Sequence, residues 1–187
     1  NLLNIIDSIY RYPIKGFTGE CLDKIMLSSN QVIPGDREFA FTRGNVNFDP
    51  DNPQYMQKTN FLALVQDEKL ASLTAKFDNT FKLLSLSRHG TVLIKVCLTS
   101  WEGRQRIETF LSRYLDLLPI KSPRIVRATR GTNNHSFSDL PDKAISLINL
   151  ATIMEFSKEI GVSLDPMRFR GNINFKNDNP WQEFDWI

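Results

Sequence analysis

The chain has 187 residues and a net charge of +2, and it is 41% hydrophobic, 24% charged and 11% aromatic. That mix is too apolar for disorder, and no apolar run approaches the roughly 18 residues a membrane helix needs, so no membrane segment is expected. Charge near balance makes no case for nucleic acid, and two cysteines cannot form a disulfide framework, which suggests a reducing, cytoplasmic setting.

Read in chain order, the first hundred residues are β-rich. Ile5 to Tyr12 is β-branched and aromatic and stops at Pro13. Cys21 to Leu27 reads as a second strand, and Pro34-Gly35-Asp36 as a turn. Arg37 to Arg43 alternates, and Gly44-Asn45 predicts a hairpin with Val46 to Phe48. Phe61 to Gln66 is a compact apolar strand. Leu70 to Phe77, Phe81 to Leu86 and Thr91 to Leu98 form a meander, the last strand apolar enough to be buried on both sides.

The spacing of Ile107, Phe110, Leu111, Tyr114, Leu115 and Leu118 predicts a helix over Arg104 to Leu117, stopped by Pro119. Arg124 to Thr129 is a strand, and Gly131 to Asn134 a loop. A second helix spans Leu150 to Ile160, with Asn149 as N-cap and Gly161 as C-terminal glycine. Leu150, Ile153, Met154 and Ile160 are its expected buried face. Asn172 to Phe175 starts a last strand. Strands and helices do not alternate regularly, so the expected class is α+β, predominantly β, with barrel-like or curled antiparallel sheets and two short helices. Pro119 to Pro123 is the best boundary, dividing 1–120 from 121–187. The ends, Asn1 rather than methionine and the apolar Trp186-Ile187, suggest a fragment.

The common catalytic signatures are absent. There is no P-loop, no dinucleotide-binding glycine run and no nucleophile elbow. Cys21, Cys97, His89 and His135 show no metal-ligand spacing. The cysteines read as small core residues of strands, His89 as a solvated turn residue, and His135 as structural. What remains is a series of short clusters: Tyr10 to Gly16, Pro34 to Arg37, Gln57-Lys58, Ser136 to Asp139, and Arg168 to Ile173. Lysine beside glycines suits a phosphate, and arginine grips one with a planar fork. Asparagine can donate and accept at a heterocycle edge. Taken singly, Lys15 and Arg37 read as solvated turn residues.

Taken together, these clusters resemble the MOSC family, the domains similar to the C-terminal part of molybdenum cofactor sulfurases. The closer likeness is to its two-part members, such as the mitochondrial amidoxime-reducing component and its bacterial relatives. The family opening Y-P-[IV]-K-S-x-x-G appears as Tyr12 to Gly19, and its G-D-R turn as Gly35-Asp36-Arg37. "SF-D" appears as Ser136 to Asp139, and "FRPN" as Phe169-Arg170-Gly171-Asn172. Trp181 to Trp186 resembles the acidic-aromatic stretch that follows. Gly16 stands where the family has serine, and Gly171 where it has proline.

The resemblance implies an N-terminal β-barrel-like module over 1–120 and the first part of a MOSC domain over 121–187. It implies the molybdenum cofactor (molybdopterin), a pterin with a phosphate tail, held by Lys15, Arg37, Lys58, Asn149, Thr152, Arg170 and Asn172. It implies a molybdenum-ligating cysteine beyond Ile187, so no catalytic or metal residue is assigned in the chain. The implied activity is reduction of small N-hydroxylated or N-oxygenated substrates. Electrons would come from a ferredoxin-like partner or a cytochrome/flavin reductase. The alternatives are a sulfur or cofactor carrier without turnover, and a β-rich interaction module that has lost the site.

Overall fold

The computed structural model describes residues 4–44, 46–64, 66–128 and 135–186. Among them it has nine strands and two α-helices. The class is α+β, mostly sheet, in three open sheets.

The first sheet joins the two ends of the sequence. Strand β1 (Ile5–Arg11) pairs antiparallel with β2 (Glu20–Leu22) on one side and with β9 (Ile173–Lys176) on the other. Strand β8 (Leu147–Asn149) runs parallel to β9. β2 is shorter than the Cys21 to Leu27 expectation, and Met26 and Leu27 are exposed. Apolar composition there does not find a partner strand.

The second sheet pairs β3 (Phe39–Thr42) antiparallel with β7 (Arg124–Arg127). This corrects the hairpin expected after β3: Val46 to Phe48 forms no strand, and Asn45 lies outside the described residues. Every residue of β3 is buried, because it sits between two apolar clusters. Phe39 and Phe41 join the main core, and Ala40 joins a smaller one with Phe61, Ala128 and Phe137. The expected strand over Phe61 to Gln66 reduces to one bridge, Phe61 to Thr42, with Val65 outside the described residues. Two of the three sheets thus take strands from both sides of residue 120.

The third sheet is the meander β4 (Thr74–Asp78), β5 (Leu83–Arg88) and β6 (Thr91–Cys97). β6 is not buried on both sides. It is an edge strand whose inner face meets α1, so Val92 and Leu93 are exposed while Val96 is buried. Helix α1 (Trp101–Tyr114) starts ahead of the expected Arg104, because the Ser100 hydroxyl accepts the Gly103 N–H at 3.0 Å. Ile107 and Leu111 of its apolar stripe are fully buried against Leu84, Leu86 and Leu98.

Helix α2 (Leu150–Ile160) has the expected bounds. Asn149 caps it by accepting the Ala151 N–H, and Gly161 ends it with a left-handed φ of 66°. Its buried face is different from the one expected. Ala151, Thr152 and Ile153 are buried, whereas Met154 and Ile160 are exposed, because only the first turn is packed under β8 and β9. The cysteines are not core residues either: Cys21 is exposed and Cys97 half-buried. Both sit on strands with a solvent-facing side. No helix among the described residues is long and apolar enough to cross a membrane.

Candidate anion-binding cleft

Four backbone segments build the site. Residues 12–15 lie along residues 36–39 through Arg37 N–H to Tyr12 O, Phe39 N–H to Pro13 O and Lys15 N–H to Phe39 O. Pro13 donates no hydrogen bond, so the chain leaves β1 there and crosses to β3. Residues 136–139 run along the other side, with Phe137 N–H donating to Arg37 O and the Ser136 hydroxyl to Asp36 O. A 3-10 turn, Pro166–Phe169, ends at Arg170.

This arrangement brings Lys15, Arg37, Lys58 and Arg170 around one cleft of about 250 Å³, together with Arg168 and Asp139. Among the described residues five cations face one carboxylate there. Lys15 is buried; its Nζ donates to Phe137 O at 2.9 Å and to the Asp139 carboxylate. Burial pushes the Lys15 ammonium below the usual lysine range, more than Asp139 raises it, and Arg37 and Arg170 push in the same direction. Burial also pushes Asp139 up, but the Lys15 hydrogen bond and charge outweigh it and hold its carboxyl low. The two ends differ because the Asp139 side chain is 63% exposed and the Lys15 side chain only 6%.

Arg37 and Arg170 share the Tyr12 ring. Their guanidinium carbons lie 5.2 and 4.3 Å from its centroid. Arg37 is braced by Asp36, whose other oxygen accepts the Tyr12 N–H at 2.7 Å. Arg170 Nη1 donates to Phe17 O at 2.8 Å, and Arg37 Nη2 to Arg170 O at 3.3 Å. Both arginines hold left-handed backbones, with φ of 49° and 54°. Non-glycine residues pay strain there, and such strain concentrates at binding sites. Arg170 Nη2 is buried with no hydrogen-bond partner among the described residues. A buried charged donor without an acceptor is costly, so this atom marks where an anion is wanted.

The glycine departures have local causes. Gly16 lines the cleft at φ 81°, and a Cβ there would come within 2.8 Å of Leu62 O. A Cβ on Gly171 would lie 2.2 Å from Ile148 Cγ1. Ile148 thus occupies the space that a side chain at 171 would need.

Three predicted residues do not line the cleft. Asn172 is buried and fully engaged: its Oδ1 accepts from the Ser146 N–H and hydroxyl, and its Nδ2 donates to Tyr10 O. Asn149 caps α2 and donates to Asn179 O and Glu183. Thr152 accepts the Trp181 N–H at 2.7 Å. All three tie chain segments together. Conversely, Arg168, Asp139 and Tyr12 were visible only as members of motifs. The alternation Arg168-Phe169-Arg170 was the available signal for the second arginine. His135 packs between Phe48 and Phe137, as a structural residue would.

Among the described residues no group of three or more His, Cys, Asp or Glu could hold a metal ion. No protein-family model matches the chain, and no curated protein matches it.

Proposed function

We propose that the cleft binds the phosphate-bearing end of the molybdenum cofactor. The carrying observation is the convergence of Lys15, Arg37 and Arg170, whose buried Nη2 has no hydrogen-bond partner among the described residues, on a space that five cations line among those residues. These groups fit a phosphate: two planar forks and one ammonium, with Gly16 allowing close approach. The cleft is smaller than the ~300–1,000 Å³ of ordinary ligand pockets, so it suits a phosphate tail and not an entire pterin. The choice of this cofactor, over other phosphorylated ligands, rests on the motif resemblance.

On this reading the bound group supplies the oxygen-transfer and redox chemistry. The residues of this chain grip and orient it. Lys15, Arg37 and Arg170 would grip the tail together, with both guanidinium groups over the Tyr12 ring. Lys58 and Arg168 raise the local positive potential. The larger proposal follows the resemblance: a cytoplasmic oxidoreductase acting on small N-hydroxylated or N-oxygenated compounds, with electrons from a separate donor protein.

The test is purification from a host that makes the cofactor, followed by molybdenum and pterin analysis. Stoichiometric pterin, lost in Arg170→Ala, supports the reading. Pterin-free protein that also ignores inorganic phosphate sinks it. Bound pterin with no turnover under any donor favours the carrier role.

A further inference from the structure

The cleft carries its own anion. Among the described residues Asp139 is the sole carboxylate lining it, and its Oδ1 sits on Lys15 Nζ. Lys15 is buried and among the described residues has one further acceptor, the neutral Phe137 carbonyl. Asp139 itself is exposed and belongs to no helix or strand. Its backbone is pinned by the Tyr55 hydroxyl, which donates to Asp139 O at 3.1 Å. The side chain can therefore swing while the main chain stays.

We infer that Asp139 is a resident counter-anion, which an incoming phosphate displaces from Lys15. This rests on the anion-site reading above. A buried ammonium without a counter-ion is expensive, so the ligand-free cleft needs a substitute. A phosphate arriving at Lys15, Arg37 and Arg170 meets that carboxylate as a like charge. Binding exchanges one ion pair for another, and the carboxylate turns toward solvent. Asp139 thereby lowers affinity and sets a threshold. A singly charged carboxylate ligand offers Lys15 no more than Asp139 already does. A phosphate dianion offers two charges and more acceptor oxygens. The exchange therefore selects phosphate esters over carboxylates.

The experiment is calorimetric titration of the purified chain with inorganic phosphate and with acetate, comparing wild type and Asp139→Asn. Asparagine keeps the shape and an acceptor oxygen but removes the charge. The expected result is phosphate binding on the order of tenfold tighter in D139N, by removal of one close like charge. Acetate binding is expected only in D139N. Phosphate affinity unchanged or weaker in D139N, with wild type still binding, overturns the exchange and leaves the anion site standing. Silence from both proteins overturns the anion site and the exchange together. Asp139→Ala, a smaller side chain at the same exposed position, checks that the gain follows the charge.

Discussion

The Arg170 guanidinium lies 4.3 Å from the centre of the Tyr12 ring; its Nη1 donates to Phe17 O, and its buried Nη2 has no hydrogen-bond partner among the described residues. The ring contacts the guanidinium without supplying an acceptor for Nη2. Tyr12 is itself fixed at both ends: its N–H donates to Asp36, and its hydroxyl to Gly171 O at 3.3 Å. An arginine in this state is prepared for a ligand oxygen.

Arg170→Ala should weaken inorganic phosphate binding by about ten- to a hundredfold, the range of a hydrogen bond between charged groups at about 1.5–3 kcal/mol. Its effect on folding should be small, below about 1 kcal/mol, because the lost bond to Phe17 O is offset by removing a buried orphan donor. Calorimetry and a thermal melt on the same sample separate the two. Arg170→Lys should not rescue binding, since an ammonium has no planar fork to lie on Tyr12.

Asn172 gives the opposite pattern. Its side chain joins Ser146 to Tyr10, and so β9 to both of its neighbours' approaches. Asn172→Ala should cost about 1–3 kcal/mol of stability, the range for orphaned buried polar partners. Phosphate affinity of the folded protein should stay within about twofold of wild type, as expected of a residue outside the cleft. Urea denaturation beside a phosphate titration decides it. A selective loss of affinity would return Asn172 to the binding machinery.

Lys15 makes binding pH-dependent. Its folded pKa lies below the ordinary lysine value, through burial first and the Arg37 and Arg170 charges after it, against the Asp139 pair. Between that lowered value and 10.5 the unfolded chain holds the extra proton, so free-protein stability rises with pH there. The cost of the buried charge is fully present below the folded value. Anion binding moves the other way and falls as Lys15 deprotonates, before an exposed lysine would. A pH series of phosphate affinity should show this descent, and Lys15→Arg should move it to higher pH. A flat series up to 10.5 would remove Lys15 from the site.

The sequence made much of this visible, and the limits have physical causes. α2 was legible to the residue because Asn149 and Gly161 are local signals. The four cations Lys15, Arg37, Lys58 and Arg170 were legible as motif members, and they do converge. The pairing of β3 with β7 was not legible, because strand partners far apart leave no local trace and Gly44 mimicked a hairpin. That Asn149, Thr152 and Asn172 lie outside the cleft has a related cause. A polar residue next to a motif can serve the ligand or the backbone, and only the tertiary partner decides.

Gly171 is the sharpest case of a residue whose meaning depends on a distant one. A Cβ at 171 would lie 2.2 Å from Ile148 Cγ1 and 2.9 Å from its Cδ1, distances no packing tolerates. Ile148 sits on β8, the strand parallel to β9, so the conflict would push apart the strands behind Arg170. Gly171→Ala should therefore cost about 1–3 kcal/mol by overpacking. Ile148→Ala alone should also cost stability, by leaving a gap. The double variant should recover part of both losses, because each change makes room for, or fills, the other. Urea midpoints for the four proteins complete the cycle. Strict additivity would mean that Ile148 does not hold position 171 as glycine. Phosphate affinity across the same four proteins then reads whether β8–β9 packing sets the aim of Arg170. A fall in G171A that recovers in the double variant would tie the glycine to the cleft through Ile148.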